Sequence, residues 1–456
     1  MKLQTLLGYC LKKVMAFDFG NHYQQSLSLF IPDRNNTRLS TRVIIRPGVK
    51  KIHRVSYAVF ALCVLSIASD AADPEPVMAA PADYLISLVR HGDRSPRDLG
   101  DMASYWPMGA GQLTVGGLEQ EYLLGKKIRS HYFSESLPHS WSPRISQHFA
   151  KGLDRTIQSA SALLQGIYPK QTRSMGIPGG IQVPPVYASP LASDDLFSAQ
   201  RLCPGYLHRV QALENSADWL RKKEQYRDQL ASWLEFGKQV GEVGEKSDNR
   251  DLYSLLPLID LIAIHRMHNL PMPKGISRQE AIELESLLNW VVSRTVANYE
   301  IAQLIGAPLA KAMIRDIKRV QQCLEEKGSC HACQRWTLYS ASDTNLLAIM
   351  TMLGAPSDRI VDYATHFGVQ LNWNDGRPEI VLSLNHEPFA IPGCVGRCSL
   401  NQWLVLLERS LPDDWDYLCA RGRGGLTPYP EPYVPSGSVA NRQEAVGLKT
   451  VLLRLQ

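Results

Sequence analysis

Residues 88–96 read L-V-R-H-G-D-R-S-P, which sets His91 between Arg90 and Arg94, beside a glycine and just short of a proline, at the end of an apolar run. Alone, this is a basic surface turn. With Arg155, in the later stretch L-D-R-T, it acquires a chemistry. A guanidinium stays charged at any relevant pH and offers a planar fork to paired oxygens, so three of them suit a tetrahedral dianion better than a carboxylate. Phosphate is the natural ligand. A neutral imidazole at the centre, oriented by a hydrogen bond from its other nitrogen, can attack phosphorus in line with the leaving oxygen and form phosphohistidine. An alkoxide departs at mild pH only with a proton, and Asp343 in S-A-S-D-T-N is the candidate acid, able to act as base when water then attacks the intermediate. The arginines neutralise the developing charge, so no metal and no other cofactor is expected.

These residues need a scaffold that delivers them to one place. Tyr84 to Val89 is an apolar run of strand length that stops at Arg90 and His91. Downstream, Thr114 can cap a helix whose inner face is read as Leu118, Tyr122 and Ile128. The same grammar recurs at Asp154-Arg155-Thr156, which opens the helical stretch IQSASALLQGI, and at Trp336 to Ala341, a strand that delivers Ser342-Asp343-Thr344 to the helix NLLAIMTML. In an open α/β sheet, strand ends and helix starts of this kind line one crevice, where helix N-termini favour an anion. Asp343 also has a plainer reading as a helix cap, compatible with catalysis, and Arg155 as a surface helix residue. From Leu207 to about Val320 the pattern turns to long helices without strand signals, as in HRVQALENSADWLRKKEQYRDQLASWLEFGKQV.

With 45% apolar and 20% charged residues, the 456-residue chain is a globular protein of one large or two modest domains, not a disordered one. Its formal charge of +5 does not point to a polyanion partner: residues 1–72 hold ten Lys/Arg against three Asp/Glu, a surplus of +7, which leaves −2 for the rest. Lys50, Lys51 and Arg54 precede the apolar run Val55 to Ala68, with small residues Ser69 and Ala71 after it, the layout of a signal peptide. At 14 residues the run is shorter than the ~20 a membrane span needs, so export without a stable span is expected. The expected start of translation lies downstream of Met1, with residues 1–50 a non-native or disordered leader. Seven cysteines follow the signal: Cys203, Cys323, Cys330, Cys333, Cys394, Cys398 and Cys419. An odd number leaves at least one thiol free in an oxidising compartment. Cys323, Cys330, His331 and Cys333 offer soft zinc ligands, but no second pair completes a tetrahedral site, and a disulfide is the favoured reading.

RHGDRSP, followed in order by GQLTVGG (Gly111 to Gly117), LDRTIQSA (Leu153 to Ala160), QVPPVYASPL, LYSASDTN (Leu338 to Asn345) and HEPFAIPGCVGRC (His386 to Cys398), resembles the histidine acid phosphatases, branch 2 of the histidine phosphatase superfamily, of the prostatic and lysosomal type. The likeness covers about residues 83–419. It implies an α/β fold, an open mixed sheet flanked by helices around a phosphoglycerate-mutase-like core, with a mainly helical inserted second domain. Residue patterning, with RGRGG and PYPEPYVPSGS near the end, divides the chain into a signal peptide at 51–72, a catalytic core of 73–206 and 321–419, a helical domain at 207–320 and a flexible tail at 420–456. The resemblance casts His91 and Asp343 as catalytic, Arg90, Arg94, Arg155 and Ser342 as substrate-binding, and pairs Cys203 with Cys419 and Cys394 with Cys398, leaving one further pair among Cys323, Cys330 and Cys333.

The chain departs from this family pattern twice. Relatives carry His-Asp where it has Ser342-Asp343, and R-S-T-D where it has Phe149-Ala150-Lys151-Gly152. Losing a charge-assisted donor at Ser342 costs ~1 to 3 kcal/mol of phosphate or transition-state stabilisation. Lys151 is then either a solvated loop lysine or a replacement for that charge. The implied function is an exported phosphomonoesterase acting on a small phosphoester. Two alternatives stand beside it, an impaired phosphoester-binding descendant and a phytase-like phosphatase. No nucleic-acid partner is expected, and a homodimer is left open.

Overall fold

The computed structural model describes residues 25–30, 40–45, 81–169, 179–239, 252–273, 275–327, 332–374 and 376–419. The expected signal segment and the tail lie outside them. The chain divides into residues 1–78 and 79–456. In the first unit, β1 (Gln25–Phe30) and β2 (Ser40–Ile45) pair antiparallel, Gln25 opposite Ile45.

In the second unit, the strand expected at Tyr84 is β3 (Tyr84–Arg90). Its side chains alternate between faces, as a pleated strand requires. Leu85 and Val89 join one apolar cluster, while Tyr84, Ile86 and Leu88 join another. Both faces are therefore buried, which is why the segment reads as an unbroken apolar run. The remaining strands are β4 (Ser146–Ala150), β5 (Tyr187–Ala188), β6 (Trp336–Ala341), β7 (His366–Asn374), β8 (Arg377–Leu384), β9 (Glu387–Pro388), β10 (Ala390–Ile391), β11 (Cys394–Val395) and β12 (Arg397–Ser399). One mixed sheet runs β12-β8-β7-β3-β6-β4-β5, with β9 on β8. The stretch β3-β6-β4-β5 is parallel, and β7 joins β3 antiparallel.

Helices α1 (Val115–Ile128) and α2 (Asp154–Ile167) cover the face that carries Leu85, Val89, Trp336 and Leu338. Thr114 caps α1 as expected, its hydroxyl accepting from the Gly117 amide at 2.9 Å. The inner face of α1 differs from the sequence reading. Ile128 is buried, but Leu118 and Tyr122 are 40% and 41% exposed, while Gly117, Glu121, Leu124 and Gly125 face inward. Backbone proximity selects that face: a Cβ on Gly125 would lie 2.1 Å from the Leu163 carbonyl oxygen, and one on Gly166 2.1 Å from that of Tyr122. A seam of small residues, rather than of large apolar ones, joins α1 to α2.

The elements described between residues 204 and 327 are helices joined by turns and loops: α3 (Pro204–Glu214), α4 (Ala217–Gln225), α5 (Arg227–Gln239), α6 (Leu256–Met267), α7 (Arg278–Thr295) and α8 (Tyr299–Lys327). Trp219, Trp233, Leu258, Leu284 and Val291 form an apolar cluster of their own. The expected boundary at residue 320 is not a structural one, because it falls inside α8, which packs through Leu304, Leu309 and Met313 into the core on the sheet's other face. Pro308 inside α8 has no N–H for the carbonyl four residues back. The Trp415 indole donates to that Leu304 oxygen instead, at 3.1 Å. Beside α8 lies α9 (Asp343–Met352), and α10 (Leu400–Arg409) follows β12. Disulfides join Cys203 to Cys419, Cys394 to Cys398, and Cys323 to Cys333. The last takes two thiols out of the cluster weighed for zinc.

Candidate active site

Three parallel strands end at the same level. β3 and β4 lead into helices on one face and β6 into α9 on the other, so a crevice opens at their carboxyl ends, as open α/β sheets provide. His91 sits in it, pinned by its backbone: its amide donates to Ala341 O at 3.0 Å and its carbonyl accepts from the Ala364 amide at 3.2 Å. The glycine after it has a steric cause, since a Cβ on Gly92 would lie 2.4 Å from the Gly117 carbonyl oxygen. The Gly92 amide donates to Ser159 Oγ at 3.0 Å.

The imidazole of His91 is 2% exposed. Its Nδ1 lies 2.8 Å from the Gly92 carbonyl, which can only accept, so Nδ1 carries the proton and Nε2 the lone pair. That lone pair accepts from Arg155 Nε at 3.3 Å. Burial, then the charges of Arg155, Arg90 and Arg94, hold His91 well below the usual histidine range, against the smaller pull of the Gly92 bond. It is a neutral imidazole surrounded by cations.

Each arginine is fixed differently. Arg90 pairs with Asp343 at 2.9 Å, donates to the Val361 carbonyl and lies 4.1 Å from the centroid of the Tyr363 ring. Arg94 turns both terminal nitrogens to Asp260 of α6, at 3.0 and 2.7 Å. Arg155 reaches the Gly111 carbonyl at 3.4 Å and has no carboxylate in ion-pair range among the described residues. Burial opposes a charge on Asp343, yet Arg90, Arg94 and the Thr344 amide hold its carboxyl below the usual range, so in the free site it is a carboxylate. Ser342 caps α9, and its hydroxyl donates to Asn345 Oδ1 at 2.9 Å.

Against this geometry, residues 83–373 match the histidine phosphatase superfamily (branch 2). The chain belongs to that family. Human prostatic acid phosphatase is 26% identical over 358 residues, 75% of this chain and 89% of the relative. Bovine lysosomal acid phosphatase is 27% identical over 75% of this chain and 81% of its own. Among solved structures, a phytase from a Klebsiella species superposes with a TM-score of 0.51 at 18% identity, covering 78% of this chain and 99% of its own, a likeness of fold. This histidine phosphatase is thus a hydrolase, a phosphomonoesterase of its superfamily.

All six site residues named from the sequence of this histidine phosphatase gather around the crevice. Three others were not named there. Asp260 grips Arg94, Tyr363 underlies Arg90, and His268, just past α6, meets Asp93 at 2.9 Å. Lys151, whose default reading was a solvated lysine, is instead 6% exposed and points at Ser342. Asp93 stood inside the RHGDRSP motif and was the one available signal; its partner lies 175 residues away.

Proposed function

We propose that the chain is an exported acid phosphatase that hydrolyses phosphomonoesters in two steps through His91. A phosphate dianion bound by Arg90, Arg94 and Arg155 draws the Arg155 Nε from His91 and frees the Nε2 lone pair. The same dianion competes with Asp343 for Arg90 and adds negative charge beside the carboxyl, and both effects raise its affinity for a proton. Nε2 attacks phosphorus, the ester P–O bond breaks, and the leaving oxygen takes the proton of Asp343. Water, deprotonated by Asp343, then attacks the phosphohistidine; inorganic phosphate leaves and His91 regains its lone pair. The observation that carries this reading is the tautomer of His91, a neutral imidazole whose Nε2 lone pair meets Arg155 in the field of Arg90 and Arg94. We read α4 to α7 as a helical second domain that walls the crevice, a reading supported by their own apolar cluster and by the reach of Asp260 and His268 to Arg94 and Asp93. Export fits the three disulfides.

The test is hydrolysis of p-nitrophenyl phosphate at acid pH, with His91→Ala as control, and acid-sensitive, alkali-stable labelling of Asp343→Asn by radioactive substrate. Turnover without label in any background rejects the covalent route. Binding without turnover in the native chain establishes the impaired alternative. A phytase-like preference has one observation in its favour: Arg97 and Arg201, both exposed, add their charges to those of Arg155 and Lys151 beyond the phosphate site. A panel of mono- and polyphosphorylated esters decides between the two preferences.

A further inference from the structure

We infer that Lys151 is a fourth phosphate-binding cation of this site, its ammonium donating to an oxygen of the transferring group from the side where Ser342 offers only a hydroxyl. The inference rests on the reading of the crevice as a phosphate site and adds a residue to it.

Register brings the two together. β4 and β6 are parallel with Ala150 beside Ser340, and the Lys151 amide continues the ladder to Ser340 O at 3.0 Å, so Lys151 and Ser342 leave adjacent strands at one level. The Lys151 Nζ lies 3.4 Å from Ser342 Oγ. That hydroxyl already gives its proton to Asn345, which leaves its lone pairs towards the ammonium. A buried ammonium needs an anion, because losing its hydration costs far more than one hydrogen bond to a hydroxyl returns. Among the described residues none is in ion-pair range. The charged groups that act on it are Arg155 of α2, Arg201 ahead of α3, Asp194, and Asp343 of α9. Asp194 is committed to the Phe197 amide at 3.0 Å and the Ser198 hydroxyl at 3.3 Å. Asp343 is committed to Arg90. Burial, then Arg155 and Arg201, bring the Lys151 ammonium down to about 8, against the opposite pull of Asp194 and Asp343. A cation held in that state gains from a dianion, and the dianion's site is the one Arg155 shares with His91.

The experiment is calorimetric binding of tungstate, a tetrahedral dianion, to the full chain from about pH 6 to about pH 9.5. Wild-type affinity should fall as the pH passes about 8. Lys151→Met should bind ~10- to 100-fold more weakly near neutrality and lose that limb, and Lys151→Arg should keep the affinity and carry the limb to higher pH. Ser342→His should gain little while Lys151 is present and recover much of the loss in the Lys151→Met background, because two cations crowd one position. Wild-type affinity in Lys151→Met, with Arg155→Met weakened, overturns the role of Lys151 and leaves the phosphate site standing. Unchanged binding in both overturns the site itself. If Lys151→Met does not fold, an unshifted limb in Lys151→Arg, or strictly additive Ser342→His effects measured with Lys151→Arg, rejects the inference.

Discussion

A guanidinium serves a phosphate well only if the rest of its fork is held still. Arg94 is held by both oxygens of Asp260, and Arg90 by Tyr363, Val361 and Asp343, so in the proposed role each would meet a phosphate at little further ordering cost. A lysine keeps the charge and loses the fork. Arg94→Lys is therefore expected to lower kcat/KM by ~10- to 100-fold with Asp260 left half-paired; full activity would mean that Arg94 is not a ligand. The role of Asp343 is read from leaving groups. Nitrophenolate departs unprotonated and an alkoxide does not, so Asp343→Asn should cost ~10²- to 10⁴-fold with an alkyl phosphate and far less with p-nitrophenyl phosphate. Equal losses on both would remove Asp343 as the acid. At this scale the contiguous motif was legible because its chemistry is local: Arg90, His91 and Arg94 declare themselves within five residues of sequence. Asp260 did not, since an aspartate in a helix is ordinary until the fold sets it against Arg94 from 166 residues away. Lys151 was legible as a type and not as a place, because burial of a strand-end lysine depends on the neighbouring strand.

The strands and the helix starts followed from short-range pattern. β3 and β6 begin where their apolar runs begin, α1 follows Thr114, and α2 and α9 begin within the triplets expected to lead into them, at Asp154 and Asp343. The face of α1 was misread because Leu and Tyr were taken for the buried side, whereas contact between backbones favours the glycines. The same contact buries Glu121, whose carboxyl oxygens have no hydrogen-bond partner of ordinary geometry. Burial pushes that carboxyl well above its usual range, offset only in part by the Ser159 hydroxyl. It sits behind the loop that carries His91, because Ser159 also receives the Gly92 amide. The sign follows from linkage. Below the unfolded pKa both states hold the proton. As the pH rises, the unfolded chain gives it up first, and stability falls by about 1.4 kcal/mol per pH unit until the folded carboxyl also ionises. Buried His366 and His386, the latter lowered to about 4, have the opposite slope, so the wild-type curve mixes both. The difference between wild type and Glu121→Gln isolates the carboxyl. Its melting temperature should fall behind that of the variant as the pH is raised from about 4 to about 7, and a pH-independent difference would mean that Glu121 is ionised in the fold.

The molecule as a whole is closed by a bridge between distant parts of the sequence. Cys203 opens α3 where the chain leaves the sheet for the helical stretch, and Cys419 is the last described residue, 216 positions later. Both are buried in the main core, and Gly205 packs so closely on Leu418 that a Cβ there would lie 2.0 Å from its carbonyl oxygen. The bridge thus ties the entry of the helices to the segment that follows α10. Cys394–Cys398 instead spans 4 positions and staples one turn. In the chain-entropy description the long loop is worth about 5 kcal/mol and the short one about 2, because a cross-link stabilises by restricting the unfolded chain in proportion to the logarithm of the loop it closes. Replacing Cys203 and Cys419 together by alanine should therefore lower unfolding stability by ~3 to 5 kcal/mol, and replacing Cys394 and Cys398 by ~1 to 2. Urea titration distinguishes the cause as well as the size. An unfolded chain freed of the long bridge exposes more surface, so the denaturant slope should rise in the first variant and stay constant in the second. Equal losses with equal slopes would place the contribution of Cys203–Cys419 in the folded core, in the packing around Gly205 and Leu418, rather than in the unfolded chain.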